Sequence, residues 1–332
     1  MNDGIQRFLT QTRIRVPLLC GAMYPCSNPE LVAAVSEAGG MGIIQPLSLV
    51  FVHKHEFRAG LRRIKALTDK PVGMNVITEK SSKVYQDRMS AWLDIALEEG
   101  VRFFVTSLGN PKWVVDRVKP HGGIVYHDVT ERKWALKALE AGVDGLIAVN
   151  ARAGGHAGPQ PPEALLTELG DLGVPILCAG GIGEAADFRK ALDMGYAGVQ
   201  MGTRFIATTE CTAHDDYKQA IVKAGAADIV LSEKITGVPV AIIRTPYIDK
   251  VGTKAGPLAR LLLANRKTKH WMRLAYSLQA LLKLKKASVQ GMGYGDYWQA
   301  GKSVDGVGAI EPAGAIVARF EAALATAPVQ PA

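Results

Sequence analysis

Short apolar runs rich in β-branched residues recur between Val16 and Met201, and most precede a segment whose apolar positions have helical spacing. Four of these segments stop at a glycine just before the next run, as helices commonly do. The four segments are Glu30–Ala38, Asp87–Glu99, Glu131–Ala141 and Glu184–Met194. The eight runs are Val16–Cys20, Met41–Ile44, Val72–Val76, Arg102–Thr106, Gly123–Tyr126, Gly145–Val149, Pro175–Ala179 and Gly198–Met201.

Eight strands that alternate with helices in this order predict an α/β protein with a (β/α)8 TIM barrel. A doubly wound open sheet is the alternative. The barrel is favoured because eight near-continuous apolar strands of the parallel type close on themselves more naturally. In such a barrel, the loops after the carboxyl ends of the strands build the active site.

The alternation of strands and helices breaks between about residues 213 and 296. Ile235–Arg244 suggests one or two strands, whereas Pro257–Ala264 and Trp271–Leu284 have helical spacing. We therefore predict a barrel over residues 1–212, a mostly helical insertion or lid over residues 213–296, and a return to the barrel over residues 297–332.

Positive charge is concentrated in the predicted insertion. The chain has 39 Lys and Arg against 31 Asp and Glu, and ten of the basic residues lie between Lys250 and Gly295, where there is no Asp or Glu. The rest is close to neutral, so nucleic acid is not an expected partner. Three interpretations of the basic stretch stay open: a packed helix with a solvated face, a membrane-surface helix, or a lid whose Lys283, Lys285 and Lys286 pair with substrate phosphates.

The overall composition narrows the class of protein. A hydrophobic fraction of 48% with 21% charged residues is typical of a globular enzyme. No run reaches the roughly 18 apolar residues of a membrane span, and the first residues lack the pattern of a secretory signal. The four cysteines form no CxxC pair and no metal-binding spacing is present, so we expect reduced thiols, a cytoplasmic protein and no metal.

The loop after the sixth predicted strand carries the clearest chemical signal. Ala153–Gly158 presents one imidazole, that of His156, among small residues that let the backbone approach a flat ligand. Such a histidine can exchange a proton near neutral pH; the simpler interpretation is a solvated histidine in a flexible loop. We take His156 as the candidate catalytic acid/base.

The loops after strands seven and eight predict a phosphate site. Ala179–Gly183 and Met201–Phe205 offer backbone N–H groups at the start of a helix, where TIM barrels commonly bind phosphate. A phosphorylated sugar and FMN both suit these loops. Asn75, at the end of the third predicted strand, favours FMN if its amide bonds the flavin edge or a ribityl hydroxyl, and is otherwise a turn residue.

Six motifs together resemble those of the nitronate monooxygenase (2-nitropropane dioxygenase-like) family. They are Pro17–Met23, Glu37–Gly42, Pro71–Asn75, Ala153–Gly158, Ala179–Gly183 and Met201–Phe205. The resemblance covers residues 14–212 and returns near Tyr297–Lys302. It implies an FMN-dependent oxidoreductase, and its motifs identify the cofactor better than the reaction.

The resemblance also implies roles for single residues. The FMN phosphate is expected at Gly180, Gly181, Gly202 and Thr203, and the rest of the FMN is expected beside Ala22, Met23, Asn75 and Gly155. The substrate is expected near Tyr24 and Lys302, and His156 is expected to act as the acid/base. Relatives often have Lys or Ser after strand five, where this chain has His127 and Asp128. An acid does not neutralise a phosphate, so that loop is not expected to hold one. Lys302 replaces a frequent Gln, and either stabilises the reduced flavin or is solvated.

The leading functional prediction is oxidation of alkyl nitronates or nitroalkanes with O2, in which His156 removes the proton next to the nitro group. The alternatives keep FMN: a dehydrogenase or reductase of a CoA thioester, or an NAD(P)H:quinone reductase, with the basic insertion binding nucleotide phosphates. A sugar-phosphate isomerase and a nucleotide-sensing barrel are the interpretations without flavin. The substrate, the electron acceptor and the oligomeric state stay open.

Overall fold

Eight parallel strands form a closed barrel in the computed structural model, which describes residues 2–78, 83–234, 238–254, 282–291, 293 and 296–325. Each strand pairs with the next along the chain, and the eighth pairs with the first through Leu19 and Gln200. The strands are β1 (Leu18–Cys20), β2 (Met41–Ile44), β3 (Gly73–Ile77), β4 (Phe103–Ser107), β5 (Ile124–Val129), β6 (Gly145–Val149), β7 (Ile176–Ala179) and β8 (Gly198–Met201). The predicted TIM barrel is therefore confirmed, and the open sheet is excluded.

Helices surround the barrel in the order that the sequence predicts. The four predicted helices correspond to α2, α4, α6 and α8, and further helices fill the remaining positions. The helices are α1 (Asp3–Thr12), α2 (Pro29–Glu37), α3 (Phe57–Leu67), α4 (Lys83–Glu98), α5 (Lys112–Val118), α6 (Arg132–Glu140), α7 (Pro162–Leu169), α8 (Ala185–Met194), α9 (Thr203–Ile206), α10 (Asp215–Lys223), α11 (Pro246–Val251) and α12 (Ala313–Leu324). Residues 282–290 are also helical.

Helix α1 closes the amino-terminal end of the barrel. Its Phe8 is fully buried, and the Phe8 ring lies 5.6 Å from the ring of Tyr126 and 6.4 Å from that of Phe103, centroid to centroid. Both partners point into the barrel, and the Tyr126 hydroxyl donates to Gln11 Oε1 at 2.7 Å. Since this end is filled, ligands enter the barrel from the carboxyl ends of the strands.

The chain returns to the barrel through a buried arginine. Arg204, at 1% exposure, follows β8 and donates to the Ala309 carbonyl and to Glu311 Oε2, the latter at 2.9 Å. Helix α12 then packs on α8, where the Phe188 and Phe320 rings lie 5.1 Å apart. This ion pair and aromatic contact fix the segment that borders the site.

The predicted insertion contains a small antiparallel sheet. Its strands are β9 (Ile229–Ser232) and β10 (Val240–Ile243). Only β10 lies within Ile235–Arg244, where the sequence predicts one or two strands, and β9 precedes that range. The predicted helix Pro257–Ala264, and Trp271–Leu284 up to residue 281, lie outside the described residues. The boundaries of the three predicted parts stay a prediction.

We expect Glu311→Ala to lower the free energy of unfolding by about 3 kcal/mol, because it leaves the buried Arg204 charge without a carboxylate. Glu321→Ala is the control, since Glu321 pairs with Arg15 where both side chains are exposed, at 41% and 60%. Such a surface pair contributes less than about 1 kcal/mol. Urea unfolding followed by tryptophan fluorescence measures both, and equal effects of the two substitutions would contradict the prediction.

Candidate functional site

A cavity of about 990 Å³ opens at the carboxyl ends of the barrel strands. The loops after β1, β4, β5, β6, β7 and β8 line it, as expected for a TIM barrel. The insertion and the C-terminal return add Tyr217, Leu284, Gln299 and Ser303 to its wall. The cavity is thus built by the barrel and completed by later segments.

Most residues predicted for the site come together around this cavity. It is lined by Ala22, Met23, Tyr24, Gly155, His156, Gly180, Gly181, Gly202 and Thr203. Two others lie elsewhere: in the described structure, neither Asn75 nor Lys302 borders the cavity. Strand β3 extends two residues beyond Asn75, whose side chain is buried and donates to the Val105 carbonyl at 3.3 Å. The backbone N–H of Lys302 donates to the Arg152 carbonyl at 2.9 Å.

Asn150, which belongs to none of the sequence motifs, organises the loops after β6 and β7. Its side chain is fully buried; Nδ2 donates to the Gly180 carbonyl at 3.0 Å, and Oδ1 accepts from the Arg152 N–H at 2.8 Å. Its carbonyl accepts from Ala153 and Gly158. One amide thereby ties together the histidine loop and the first glycine of the phosphate loop, and each group has a partner.

The histidine loop packs directly against the C-terminal return. A Cβ on Gly154 would lie 2.8 Å from the Gly301 nitrogen and 3.0 Å from the Ala300 carbonyl carbon, so a side chain does not fit there. The Thr203 hydroxyl accepts the Gly301 N–H at 3.0 Å. Three loops distant in sequence therefore meet at one point.

His156 itself is exposed at the rim of the cavity. The preceding Gly155 has φ +67°, a left-handed conformation that favours glycine, and its carbonyl accepts the Ala241 N–H of β10 at 2.7 Å. The hairpin of the insertion thus holds the loop next to the imidazole. This arrangement places a proton-exchanging group at the entrance, within reach of a ligand in the cavity.

The loop after β7 has the features of an anion site. Gly180 and Gly181 have φ +118° and +85°. In the described part of the chain, the N–H groups of Gly181 and Ile182 have no hydrogen-bond acceptor. A Cβ on Gly181 would collide with the Arg152 side chain, so a guanidinium lies against the loop. Arg152 belongs to none of the sequence motifs, and it places a positive charge beside this loop, as suits a phosphate.

Two polar groups with unpaired oxygens lie at the mouth of the barrel. Asp128 lies near the carboxyl end of β5, Gln200 lies on β8, and both residues line the cavity. Among the described residues, Asp128 Oδ1 and Gln200 Oε1 are buried and lack a partner. Burial raises the pKa of Asp128 to about 7, against a lowering effect of the nearby Gln200 amide. These oxygens are positioned to accept hydrogen bonds from a ligand.

His127 lies beside this pair and is an uncharged group at neutral pH. It is 5% exposed, and its Nδ1 lies 2.8 Å from the Thr106 hydroxyl oxygen. Burial lowers the pKa of His127 to about 4. The two histidines of the cavity therefore differ: His127 is fixed and neutral, whereas His156 is exposed at the rim.

An apolar wall faces the cavity from the side of the insertion. Leu284 and Tyr24 line the cavity and belong to a cluster with Val240, Ile242 and Tyr297. Tyr217 stacks on Trp298 with ring centroids 5.4 Å apart, and the Tyr217 hydroxyl donates to the Gln299 carbonyl. This wall can shield a substrate from water.

The sequence model of nitronate monooxygenases matches residues 6–320, nearly the whole chain. The chain belongs to the nitronate monooxygenase family. The family's proteins are flavin-dependent oxidoreductases, and this chain is an enzyme of that class. The family resemblance predicted from the six motifs is confirmed.

Three similar proteins cover different reactions. A (3aS,4S,5R,7aS)-5-hydroxy-7a-methyl-1-oxo-octahydro-1H-indene-4-carboxyl-CoA dehydrogenase of Mycobacterium tuberculosis is 31% identical over 75% of this chain and 72% of its own. A nitronate monooxygenase of Pseudomonas aeruginosa is 28% identical over 70% and 77%. The structure of FabK from Thermotoga maritima superposes with a TM-score of 0.77 at 28% identity, covering 96% of both chains.

The described residues fit a flavin. The unpaired N–H groups of Gly181 and Ile182 suit its phosphate, and the unpaired oxygens of Asp128 and Gln200 suit donors on its ring or ribityl chain.

No helix in the described part of the chain is long and apolar enough to cross a membrane.

We expect Gly154→Ala to weaken flavin binding at least about tenfold, because the added Cβ separates the histidine loop from Gly301 and disturbs the Thr203 contact. Gly308→Ala is the matched control, since a Cβ there meets nothing within 4 Å. Flavin fluorescence quenching during reconstitution of the apoprotein measures both. Unchanged binding in Gly154→Ala would contradict the role of the close contact.

The buried Asp128 predicts a pH-dependent stability. The folded protein keeps this proton up to a pH of about 7, whereas the unfolded chain loses it near pH 3.8, so unfolding releases a proton and wild-type stability falls between these values. Asp128→Asn carries no such proton. We expect the Tm of the variant minus that of the wild type to increase from pH 4 to pH 7 and then to level off. Parallel curves would contradict the prediction.

Proposed function

We propose that this protein binds FMN at the mouth of its barrel and oxidises substrates that carry an acidic C–H group. The observation that carries the proposal is the placement of His156 on a glycine loop beside the predicted phosphate loops, around one cavity. The motif residues of the family supply backbone groups for the cofactor, and His156 supplies a base.

Each residue around the cavity has a distinct role in this proposal. Gly181, Ile182 and Thr203 hold the FMN phosphate, with Arg152 balancing its charge, and Gly180 and Gly202 give the room for close approach. Ala22, Met23 and Gly155 lie along the cofactor. When bound, FMN supplies the redox chemistry, taking up electrons from the substrate and passing them to an acceptor.

His156 performs the proton chemistry of the proposed reaction. In a neutral nitroalkane, its imidazole takes the proton from the carbon next to the nitro group and so forms the nitronate. An alkyl nitronate already lacks that proton and needs no base. We propose nitronates and nitroalkanes as substrates with O2 as the acceptor, on the ground of the family.

A CoA thioester is the second candidate substrate. The α-carbon of a thioester lies next to its carbonyl group, just as the acidic carbon of a nitroalkane lies next to its nitro group. His156 would therefore remove the α-proton of the thioester in the same way. The apolar wall around Leu284 and Tyr24 favours a hydrocarbon body larger than a short nitroalkane. The carboxyl-CoA dehydrogenase among the similar proteins supports this candidate.

The insertion and the cellular location complete the proposal. We propose that residues 213–296 act as a lid, because β10 holds the Gly155 carbonyl and Leu284 lines the cavity. We also propose a cytoplasmic location, because the four cysteines are buried thiols. Tyr24 is proposed as a substrate contact.

Anaerobic stopped-flow mixing tests the substrate assignment. The purified flavoprotein is mixed with propionate 3-nitronate, nitroethane, NADH, NADPH and a panel of acyl-CoA thioesters, and the flavin absorbance near about 450 nm is followed. Rapid bleaching by the nitronate supports the first candidate. Bleaching only by acyl-CoA supports the second, and bleaching only by a reduced nicotinamide contradicts both.

We expect His156→Ala to lose at least about a hundredfold in kcat/KM with a neutral nitroalkane, because general base catalysis contributes about 10² or more. Turnover of the preformed nitronate and FMN content are expected to stay close to wild type, since neither needs the base. Steady-state O2 consumption and the absorbance of bound flavin measure these quantities. Loss of FMN in the variant would show that His156 is structural.

A further inference from the structure

The rim of the cavity between β4 and α6 exposes two large apolar side chains. Trp134 of α6 is 44% exposed, and Leu108, in the loop after β4, is 54% exposed. Both line the cavity. Leu108 has φ +57°, which is uncommon for a residue other than glycine and is held by hydrogen bonds from Thr78 and by packing at Gly109. The fold thus maintains an exposed apolar edge at the entrance.

Positive charge surrounds the exposed indole. The Nζ atoms of Lys133 and Lys137 lie 5.1 and 5.0 Å from the Trp134 ring centroid. Lys133 forms an ion pair with Glu131 at 2.5 Å, whereas Lys137 makes no salt bridge with a described residue. Lys137 therefore carries a charge at the rim that a ligand anion can neutralise.

A second hollow of about 430 Å³ continues outward from this rim. It shares Asn110 and Lys137 with the main cavity. Its other lining residues are Lys112, Glu140 and Ala141. The Lys112 ammonium forms an ion pair with Asp116. The two hollows adjoin at Asn110 and Lys137, so the space suits an elongated molecule with a reactive end inside and a charged end outside.

We propose that the rim formed by Leu108, Trp134 and Lys137 binds the adenosine phosphate end of an elongated substrate or co-substrate. The purine ring displaces a lysine ammonium from the indole and stacks there, and a phosphate group meets Lys137. Free nitronates lack both groups, and CoA thioesters and NADPH have both. The inference rests on the proposed function for the reactive end, which occupies the main cavity.

The basic stretch of the insertion is the competing place for the nucleotide. Within its described part, Lys285 Nζ donates to the Phe51 carbonyl at 2.8 Å, so this lysine is engaged with the protein itself. Leu284 contributes an apolar side chain to the cavity. The rim at Trp134 is favoured because it combines a flat aromatic surface with Lys137, which makes no ion pair with a described residue, next to the main cavity.

Isothermal titration calorimetry on the flavin-loaded protein tests the proposal with 3′,5′-ADP, the phosphate pattern of CoA, and 2′,5′-ADP, that of NADPH. Trp134→Ala removes the stacking surface, and Lys137→Glu reverses the charge. Each is expected to raise the Kd of the preferred nucleotide at least about tenfold. Lys286→Glu, an exposed change on helical residues 282–290, is the control and is expected to leave the Kd unchanged.

The outcomes separate this proposal from the proposed function. The nucleotide proposal is overturned if the wild type binds neither nucleotide. It is also overturned if the Kd is unchanged in Trp134→Ala and Lys137→Glu, or if only Lys286→Glu loses nucleotide binding. The nucleotide that binds more tightly identifies the source of the adenosine phosphate. Flavin content and turnover of a nucleotide-free nitroalkane are measured in parallel and are expected to be unchanged; their absence in the wild type would refute the proposed function without affecting the nucleotide result.

Discussion

The contact between the backbones of Gly154 and Gly301 is the constraint on which the site depends. Neither residue has a side chain, so the loop after β6 can lie directly on the C-terminal return, and the Thr203 hydroxyl joins the loop after β8 to the same point. Arg204, which follows Thr203, holds the C-terminal return in place through its hydrogen bond to Glu311. The histidine loop is therefore oriented by segments almost 150 residues apart, not by local preference.

The burial of polar side chains at the barrel mouth lowers the stability of the protein and favours ligand binding. Asp128 and Gln200 each keep a buried oxygen without a partner among the described residues, and a buried polar atom without a partner is destabilising. A ligand that brings donors to these oxygens removes that penalty. The raised pKa of Asp128 and the lowered pKa of His127 have the same origin, since both groups lose water when the barrel closes. The polar mouth is thus prepared for a ligand by the same packing that builds the barrel.

The strands could be predicted from the sequence because barrel strands are buried on both faces and form continuous apolar runs. Helix α7 follows from the alternation of strands and helices but has no clear local signal, because it begins at Pro162 after a second proline, a pattern typical of a loop. The loop residues Gly180, Gly202 and His156 were found through motifs, since each motif is local. The juxtaposition of Asp128 and Gln200 could not be found in this way, because it depends on strands that face each other only after closure. Asn75 was expected at the mouth, but β3 continues past it to Ile77.

Different parts of the chain form the proposed phosphate site and the walls of the cavity, and this explains why the family motifs identify the cofactor better than the substrate. The proposed phosphate site consists of backbone N–H groups and glycines, which can bind a phosphate whatever side chains surround them. The walls consist of side chains from elements outside the motifs: Leu284 from the insertion, Trp134 from α6 and Leu108 from the β4 loop. If the proposed rim binds the adenosine phosphate end of the substrate, substrate choice in this protein depends on these walls, and above all on the groups that Trp134 and Lys137 accept at the entrance.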